Sequence, residues 1–385
     1  MSFRKVIAIL MAGAPILIAP AQGAQPEPPR LIEFDIPGAA AAASPICGLS
    51  CGTLPQAIND EGTVTGVYTD SQIVPHGFIR ARDGRVTTFD APGAELGANL
   101  DAGTVPNSIN DFDAIAGQYQ DSNLVFHAFI RQPWGTFTTF DVAGAAQISG
   151  GGTQAVSINN SGETAGIYVD ASYAAHGFVR SRHGQITTFD APGSVSTAVC
   201  SQACLNDEGT AVGYYLDANF VAHGFVRKRD GKITTFDGPN AIFGTLALSI
   251  NDAGEIAGYT VDGNGVNWGF IRHPDGTMSP AIPVPGANEG TNGGDVFFGI
   301  NAAGATTGVW EDGNFAFHGF TRSRNGRITR FDAPGASDSV AFDGTRPTML
   351  NAFGEVTGWW VDANNLSHGF VFRPDWHDEH DGHDE

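Results

Sequence analysis

One block of sequence recurs through this chain and limits what it can become. HGFVRSRHGQITTFDAPG, residues 176–193, returns with few changes at 76, 223 and 318. The aligned copies share one template: an apolar run ending Ile-Asn, then Asp-x-Gly, x-x-x-Gly-x-Tyr-x-Asp, five variable residues, His-Gly-Phe-x-Arg, a glycine turn, and Thr-Thr-Phe-Asp-x-Pro-Gly-Ala. The Asn stands at 59, 110, 159, 206, 251, 301 and 351, so seven copies follow one another at spacings of 45 to 51 residues. Repeats of this length are typical of propeller blades. Each copy contains four short alternating segments separated by turn chemistry in which glycine or asparagine supplies positive φ. The expectation is an all-β chain, a seven-bladed β-propeller of four-stranded antiparallel blades.

The chain ends carry half-repeats. LIEFDIPG at 31–38 is the rear half of the template alone, and HGFVFRP at 368–374 is the front half alone. The N-terminal segment therefore supplies the fourth strand that the last blade lacks, which closes the ring and removes an exposed edge. An open solenoid would need capping repeats and would not split one repeat between its termini. In the fifth copy Pro280 and Pro283 stand where others carry Thr-Thr-Phe-Asp. Proline cannot donate to a ladder, so this segment belongs at the outer edge of its blade.

Residues 1–24 read as a cleavable export signal, with Arg4 and Lys5 before an apolar run from Val6 to Pro20 and small residues after it. That run is short for a membrane span. The domain plan is then a signal at 1–24, a propeller at 25–374 and an acidic, histidine-rich disordered tail at 375–385. The expected location is secreted and extracellular, with the periplasm as the alternative. Cys47 with Cys51 and Cys200 with Cys204 form two local pairs, which in an exported chain suggests two short-loop disulfides. Zinc is the competing reading, but the two pairs lack the usual ligand spacing.

Several residues recur at fixed places. Glycines 66, 117, 166, 213, 258, 308 and 358 fall in the middle of each second strand, which implies close approach of neighbouring backbone. Phenylalanines of the third and fourth strands are expected to pack between adjacent blades. Histidines 76, 127, 176, 223, 318 and 368 each stand between two aspartates that antiparallel order brings to the same end. Such a trio can orient a base or bind a metal. Six copies favour a structural clasp instead, because chemistry needs one singular constellation. Trp268 replaces the histidine once.

Charge separates the two faces. Sixteen of the twenty Lys and Arg fall at the end of the third strand, its turn or the start of the fourth. Among the long interblade loops only Arg346 remains, beside Glu95, Asp101, Glu289, Asp295, Asp338 and Asp343. The long-loop face is thus expected to be acidic and the opposite rim basic, a solvated ring of cations. A net charge of -21 opposes nucleic-acid binding, which needs clustered cations. Phe126, Tyr173, Phe220, Trp268, Phe315, Phe317 and Arg346 are the candidate ligand contacts, the aromatic rings being suited to stacking on sugars or, equally, to burial over the blade top. His377, His380 and His383 in the tail are candidates for loose transition-metal capture, and calcium in the channel is open. No resident cofactor is expected.

The HAF at His127–Phe129, its HGF versions elsewhere and the preceding Ser-Ile-Asn-Asp-x-Gly pattern together resemble the bacterial HAF-repeat family of extracellular repeat proteins. The resemblance covers nearly all of the chain after the signal and implies an exported repeat protein. It carries no functional residues over. Many relatives end in a surface-sorting segment, and this chain has its acidic tail there.

Two function classes stand open. The first is a non-catalytic, monomeric binding protein that presents an acidic long-loop face to a neutral glycan or an envelope or extracellular protein, with no membrane span. The second is a polysaccharide-active enzyme, a glycoside hydrolase or lyase, recruiting Glu95, Glu289 or Asp295. The turn SINDAG at 249–254 is faintly similar to the Asp-box of sialidases, but with an extra residue, and a sialidase needs several converging arginines where this face offers one.

Overall fold

Alternation of apolar and polar residues with a turn every few residues dictates strands, and strands are what form. The computed structural model describes residues 30–42, 51–97, 102–200, 203–290, 293–337 and 343–375. Among them there are twenty-seven strands and no helix. The expected signal at 1–24, the tail with His377, His380 and His383, and Cys47 lie outside the described residues.

The first strand, β1 (Arg30–Phe34), precedes the repeats. The first repeat is an antiparallel meander of β2 (Gly52–Ile58), β3 (Val64–Thr69), β4 (Pro75–Arg80) and β5 (Val86–Phe89). The next three repeats supply β6 to β17 between residues 104 and 236 in the same order. The fifth has only β18 (Gly244–Ile250), β19 (Ile256–Val261) and β20 (Asn267–Arg272), the sixth has β21 (Asp295–Ile300) to β24 (Ile328–Phe331), and the seventh has β25 (Thr345–Leu350), β26 (Val356–Val361) and β27 (Ser367–Arg373).

The expectation of four strands in every unit therefore fails in the fifth, where Pro280 and Pro283 leave no fourth strand. Other residues fill the gap. Asp295 accepts hydrogen bonds from Gly269 N and Val284 N at 2.8 and 3.1 Å, the Ser279 hydroxyl accepts one from Ile271 N, and Phe297 packs where the missing strand's phenylalanine would sit.

β1 pairs antiparallel with β27, Arg30 opposite Arg373 and Phe34 opposite Gly369. Its contacts are those of a fourth strand. Asp35 stands 3.0 Å from His368 as Asp90 stands 2.8 Å from His76, and the Phe34 ring meets Phe78 edge-on at 6.3 Å. The same edge-on contact links Phe89 to Phe129, Phe140 to Phe178, Phe189 to Phe225, Phe236 to Phe270 and Phe331 to Phe370, so every fourth strand packs on the next repeat's third, and between the fifth and sixth repeats Phe297 meets Phe320 instead. The third-strand phenylalanines are fully buried and form the inter-repeat core.

The second-strand glycines answer to neighbouring backbone, in each case the first strand of the same repeat at its bulge. A Cβ on Gly166 would collide with the carbonyl of Gln154. Gly152 is constrained differently: at φ 112° it forms a parallel bridge to Phe126 of the preceding repeat, where a side chain would strike the Phe126 carbonyl. In the fourth repeat the first strand is interrupted after Val199, and the Cys200–Cys204 disulfide pinches off the excursion before the chain resumes at Leu205.

The seven template asparagines form a closed circuit. Each Nδ2 donates to the next Asn carbonyl, from Asn59 to Asn110, Asn159, Asn206, Asn251, Asn301, Asn351 and back to Asn59, at 2.9 to 3.1 Å. Each Oδ1 meanwhile accepts the backbone N–H four residues on, as in Thr210 N to Asn206 at 2.9 Å. Asparagine is needed because one side chain must accept within its own turn and donate to the neighbour's. Asn206→Ala leaves the Thr210 N–H buried without a partner and is expected to cost about 2 kcal/mol in urea unfolding.

Candidate functional site

The histidine trios come out as repeated structure. In the first repeat His76 Nδ1 lies 2.8 Å from Asp90 and Nε2 3.6 Å from Asp70, with the ring stacked on Tyr68. The other five copies match it, and Asp332 holds the His318 imidazole above its usual range. In the fifth repeat Trp268 Nε1 donates to Asp262 at 3.1 Å, so this candidate contact does the histidine's job. The second-strand aspartates also cap the following loop: Asp170 accepts from Ser172 N and Ala174 N, which bends the chain so that residue 173 takes positive φ. Tyr173 and Phe220 are thereby thrust outward, 64% and 76% exposed. Phe315 has the same backbone but is half-buried, as is Phe126 at the start of its strand.

The turn face is not a plain basic rim. Arg131, Arg180, Arg227 and Arg272 lie 4.8 or 4.9 Å over the fourth-strand phenylalanine of the preceding repeat, and Arg80 lies 4.5 Å over Phe34. These cations fasten one repeat to the next through aromatic faces. Inside that rim lies acid the sequence reading missed. Asp60, Asp111, Asn160, Asp207 and Asp252 line a 180 Å³ mouth with the asparagine circuit, each accepting the backbone N–H of its neighbour at 2.7 to 3.0 Å. Burial, then the neighbouring carboxylates, push Asp60 and Asp207 upward. Among the described residues no group of three or more His, Cys, Asp or Glu is arranged to hold a metal ion.

One constellation is not repeated. A 330 Å³ pocket opens between the fifth, sixth and seventh repeats, lined by Tyr259, Asn267, Val296, Phe298, Val309, Glu311, Phe317, Arg346, Pro347, Thr348 and Trp359. Arg346 was expected on a long loop; it lies in β25, at a position filled elsewhere by Leu54, Val105, Gln154, Ala198, Leu246 and Val296. Its guanidinium sits 4.1 Å over the Phe317 ring and 4.8 Å over Trp359. Burial lowers it to about 10, against the opposing pull of Asp343 and Glu311.

Glu311 ends the second strand of the sixth repeat, where other repeats carry Thr69, Gln120, Val169, Leu216, Val261 and Val361. It is 7% exposed, its Oε2 has no hydrogen-bond partner, and burial pushes it up to about 7 although Arg346 acts the other way. A carboxyl half-ionised near neutrality, a desolvated cation and four aromatic rings thus meet in one concave place.

Of the seven candidate contacts, the structure brings Phe317 and Arg346 together here and leaves the other five outside. Glu311, Phe298, Tyr259 and Trp359 went unremarked in the sequence, although Glu311 was legible as the one acid at a position otherwise neutral. Of the candidate catalytic carboxylates, Asp295 is buried and bonded to backbone, pushed up to about 6 by burial, while Glu95 accepts the N–H of Gly97 and Glu289 is exposed.

No protein-family model and no curated protein sequence matches the chain. Solved structures do. A streptogramin B lyase aligns at 13% identity and TM-score 0.53 over 89% of this chain and 97% of its own. A puromycin hydrolase variant complexed with PGG aligns at 13% identity and TM-score 0.54 over 84% of this chain and 53% of its own. The BP39L lectin from Burkholderia pseudomallei aligns at 11% identity and TM-score 0.48 over 84% of this chain and 97% of its own. The fold is of the propeller type.

Proposed function

We propose that this chain is an exported, non-catalytic binding protein of the HAF-repeat kind. In this reading it is a seven-bladed propeller closed by β1 and takes a neutral glycan in the pocket around Arg346. The returning asparagine circuit and the pairing of β1 with β27 support the closed ring. The Cys200–Cys204 disulfide is compatible with a secreted or periplasmic location. No helix among the described residues is long and apolar enough to cross a membrane.

One observation carries the ligand assignment: in a chain of near-identical repeats, this pocket departs from the template by gathering a cation, a buried carboxyl and four aromatic rings in one concave place. Its volume is within the range of small-ligand sites. Aromatic rings offer faces to the C–H side of a sugar, while Glu311, Asn267 and Thr348 offer polar contacts to hydroxyls. The half-ionised carboxyl partly offsets the cation, which leaves a weakly charged site suited to a neutral occupant.

Trp359→Ala and Phe298→Ala are expected to weaken binding of neutral oligosaccharides at least tenfold in calorimetric titration, with the fold intact by circular dichroism. Unchanged affinity in both variants, or no glycan bound at all, removes the proposal. Glu311 gives an enzymatic reading its one specific support, since a carboxyl poised near 7 suits a general acid. A hydrolase needs a second carboxylate, and Glu311 is the single carboxylate in the pocket lining. Product released from an oligosaccharide, and abolished by Glu311→Gln, would reverse the ranking.

A further inference from the structure

A second groove lies on the turn face between the second and third repeats, and the repeats themselves define what is unusual about it. Arg82, Arg182, Arg229 and Arg324 occupy one template position, two residues past the third strand. Three of them pair with a glutamate on the asparagine turn of the preceding repeat: Arg82 with Glu355 at 2.7 Å, Arg229 with Glu163 at 2.7 Å and Arg324 with Glu255 at 3.4 Å. Where the position holds Pro133, Pro274 or Pro374 instead, the preceding turn carries Thr63, Thr210 or Ala305. Cation and acid thus occur together or not at all, with one exception. Arg182 meets Ala114.

The exposed Arg182 donates from Nε to His183 Nε2 at 3.1 Å and makes no ion pair among the described residues. It lines a 340 Å³ groove with Trp134 and Phe112, which are 74% and 67% exposed. Trp134 is itself an exception, standing at a hairpin tip where other repeats have Asp83, His183, Asp230, Asp275 and Asn325. Two departures from the template, an uncompensated cation and an outward indole, converge on one groove.

We infer that this groove binds a uronate-bearing glycan, with the sugar carboxylate on Arg182 and the ring face on Trp134. A guanidinium released from its usual glutamate is suited to bidentate recognition of a carboxylate. The exposed indole supplies the stacking surface, and Gln132 and Asn160 in the same lining offer hydroxyl partners. An acidic peptide is disfavoured, because its carboxylates bring no sugar ring face to stack on the exposed Trp134.

The template supplies its own test. Ala114→Glu installs the acid that three sister turns already accommodate and should occupy Arg182 internally without harming the fold. Calorimetric titration of the full chain with an oligogalacturonate is expected to show binding that Ala114→Glu, Arg182→Ala and Trp134→Ala each weaken at least tenfold. Thermal melts should confirm that each variant folds. The fully methyl-esterified oligomer, with the same rings and no charge, should bind at least tenfold more weakly. Equal affinity for the ester, equal affinity for poly-glutamate, or affinity unaffected by Ala114→Glu and Arg182→Ala overturns the inference. Trp359→Ala should leave this binding unchanged, so its failure and that of the Arg346 pocket are read separately.

Discussion

Deleting residues 30–40 is expected to abolish cooperative unfolding of the remaining chain. The segment contributes far more than five ladder residues. β1 covers the edge of β27, Phe34 packs on Phe78 beneath the Arg80 guanidinium, Asp35 holds His368, and Ile36 is 2% exposed with its N–H on the Thr53 hydroxyl. Burial of Ile36 contributes roughly 1.5 to 3 kcal/mol and the half-buried Phe34 somewhat less. Added to an uncovered edge and the removal of Asp35 from His368, the loss is about 5 kcal/mol or more, comparable with the whole stability of many domains. A peptide of residues 30–40 supplied in trans should restore a sharp thermal transition by adding back the strand. A deletion variant that melts as sharply and as late as the full chain would show that the first and seventh repeats hold together without β1.

That arrangement was legible from the sequence because the template is redundant. LIEFD at one end and HGFVFR at the other are interpretable only against five other copies that carry both halves. The same redundancy exposed the glycines, the buried phenylalanines and the histidine trios, where the sequence spacing already dictates which strand ends meet. It failed where function of a residue depends on the adjacent repeat. Nothing in His-Gly-Phe-x-Arg says that the arginine stacks on the previous repeat's phenylalanine rather than facing water. Nor does Ile-Asn-Asp say that Asp60, Asp111, Asp207 and Asp252 turn toward a shared mouth. The fourth strand of the fifth repeat was lost to two prolines, and its replacement by Asp295 and Phe297 of the next repeat could not be foreseen from local pattern.

The pocket around Arg346 was hidden for a related reason. Glu311 and Arg346 are far apart in sequence, on different repeats, and neither belongs to a motif. Arg346 stands out as a lone cation, but Glu311 is visible only as a substitution at a position the template leaves neutral. A departure from an otherwise strict repeat carries information that the repeat itself does not, and here the departures cluster in space.

The stability of the protein should fall as pH rises from about 4 to above 7, and Glu311 should account for much of the fall. Its folded value, about 7, lies above the ordinary 4.5 because burial disfavours the charged form. The folded state therefore holds the proton more tightly than the unfolded chain. Below pH 4.5 both states are protonated and the site costs little; through the window up to 7 the unfolded chain ionises first, and above 7 the penalty is complete. A displacement of this size corresponds to about 3 kcal/mol. Asp295, raised from 3.8 to about 6, adds a fall of the same sign over a slightly lower window. Glu311→Gln removes the first contribution and leaves the second. Urea unfolding at pH 5 should separate wild type and Glu311→Gln by less than about 1 kcal/mol, and at pH 8 the variant should be the more stable by about 2 to 3 kcal/mol. An equal difference at both pH values would mean that Glu311 titrates normally. A carboxyl that costs stability at neutral pH, at a position where the other six repeats carry neutral side chains, fits the proposed role of Glu311 as a polar contact to a bound glycan.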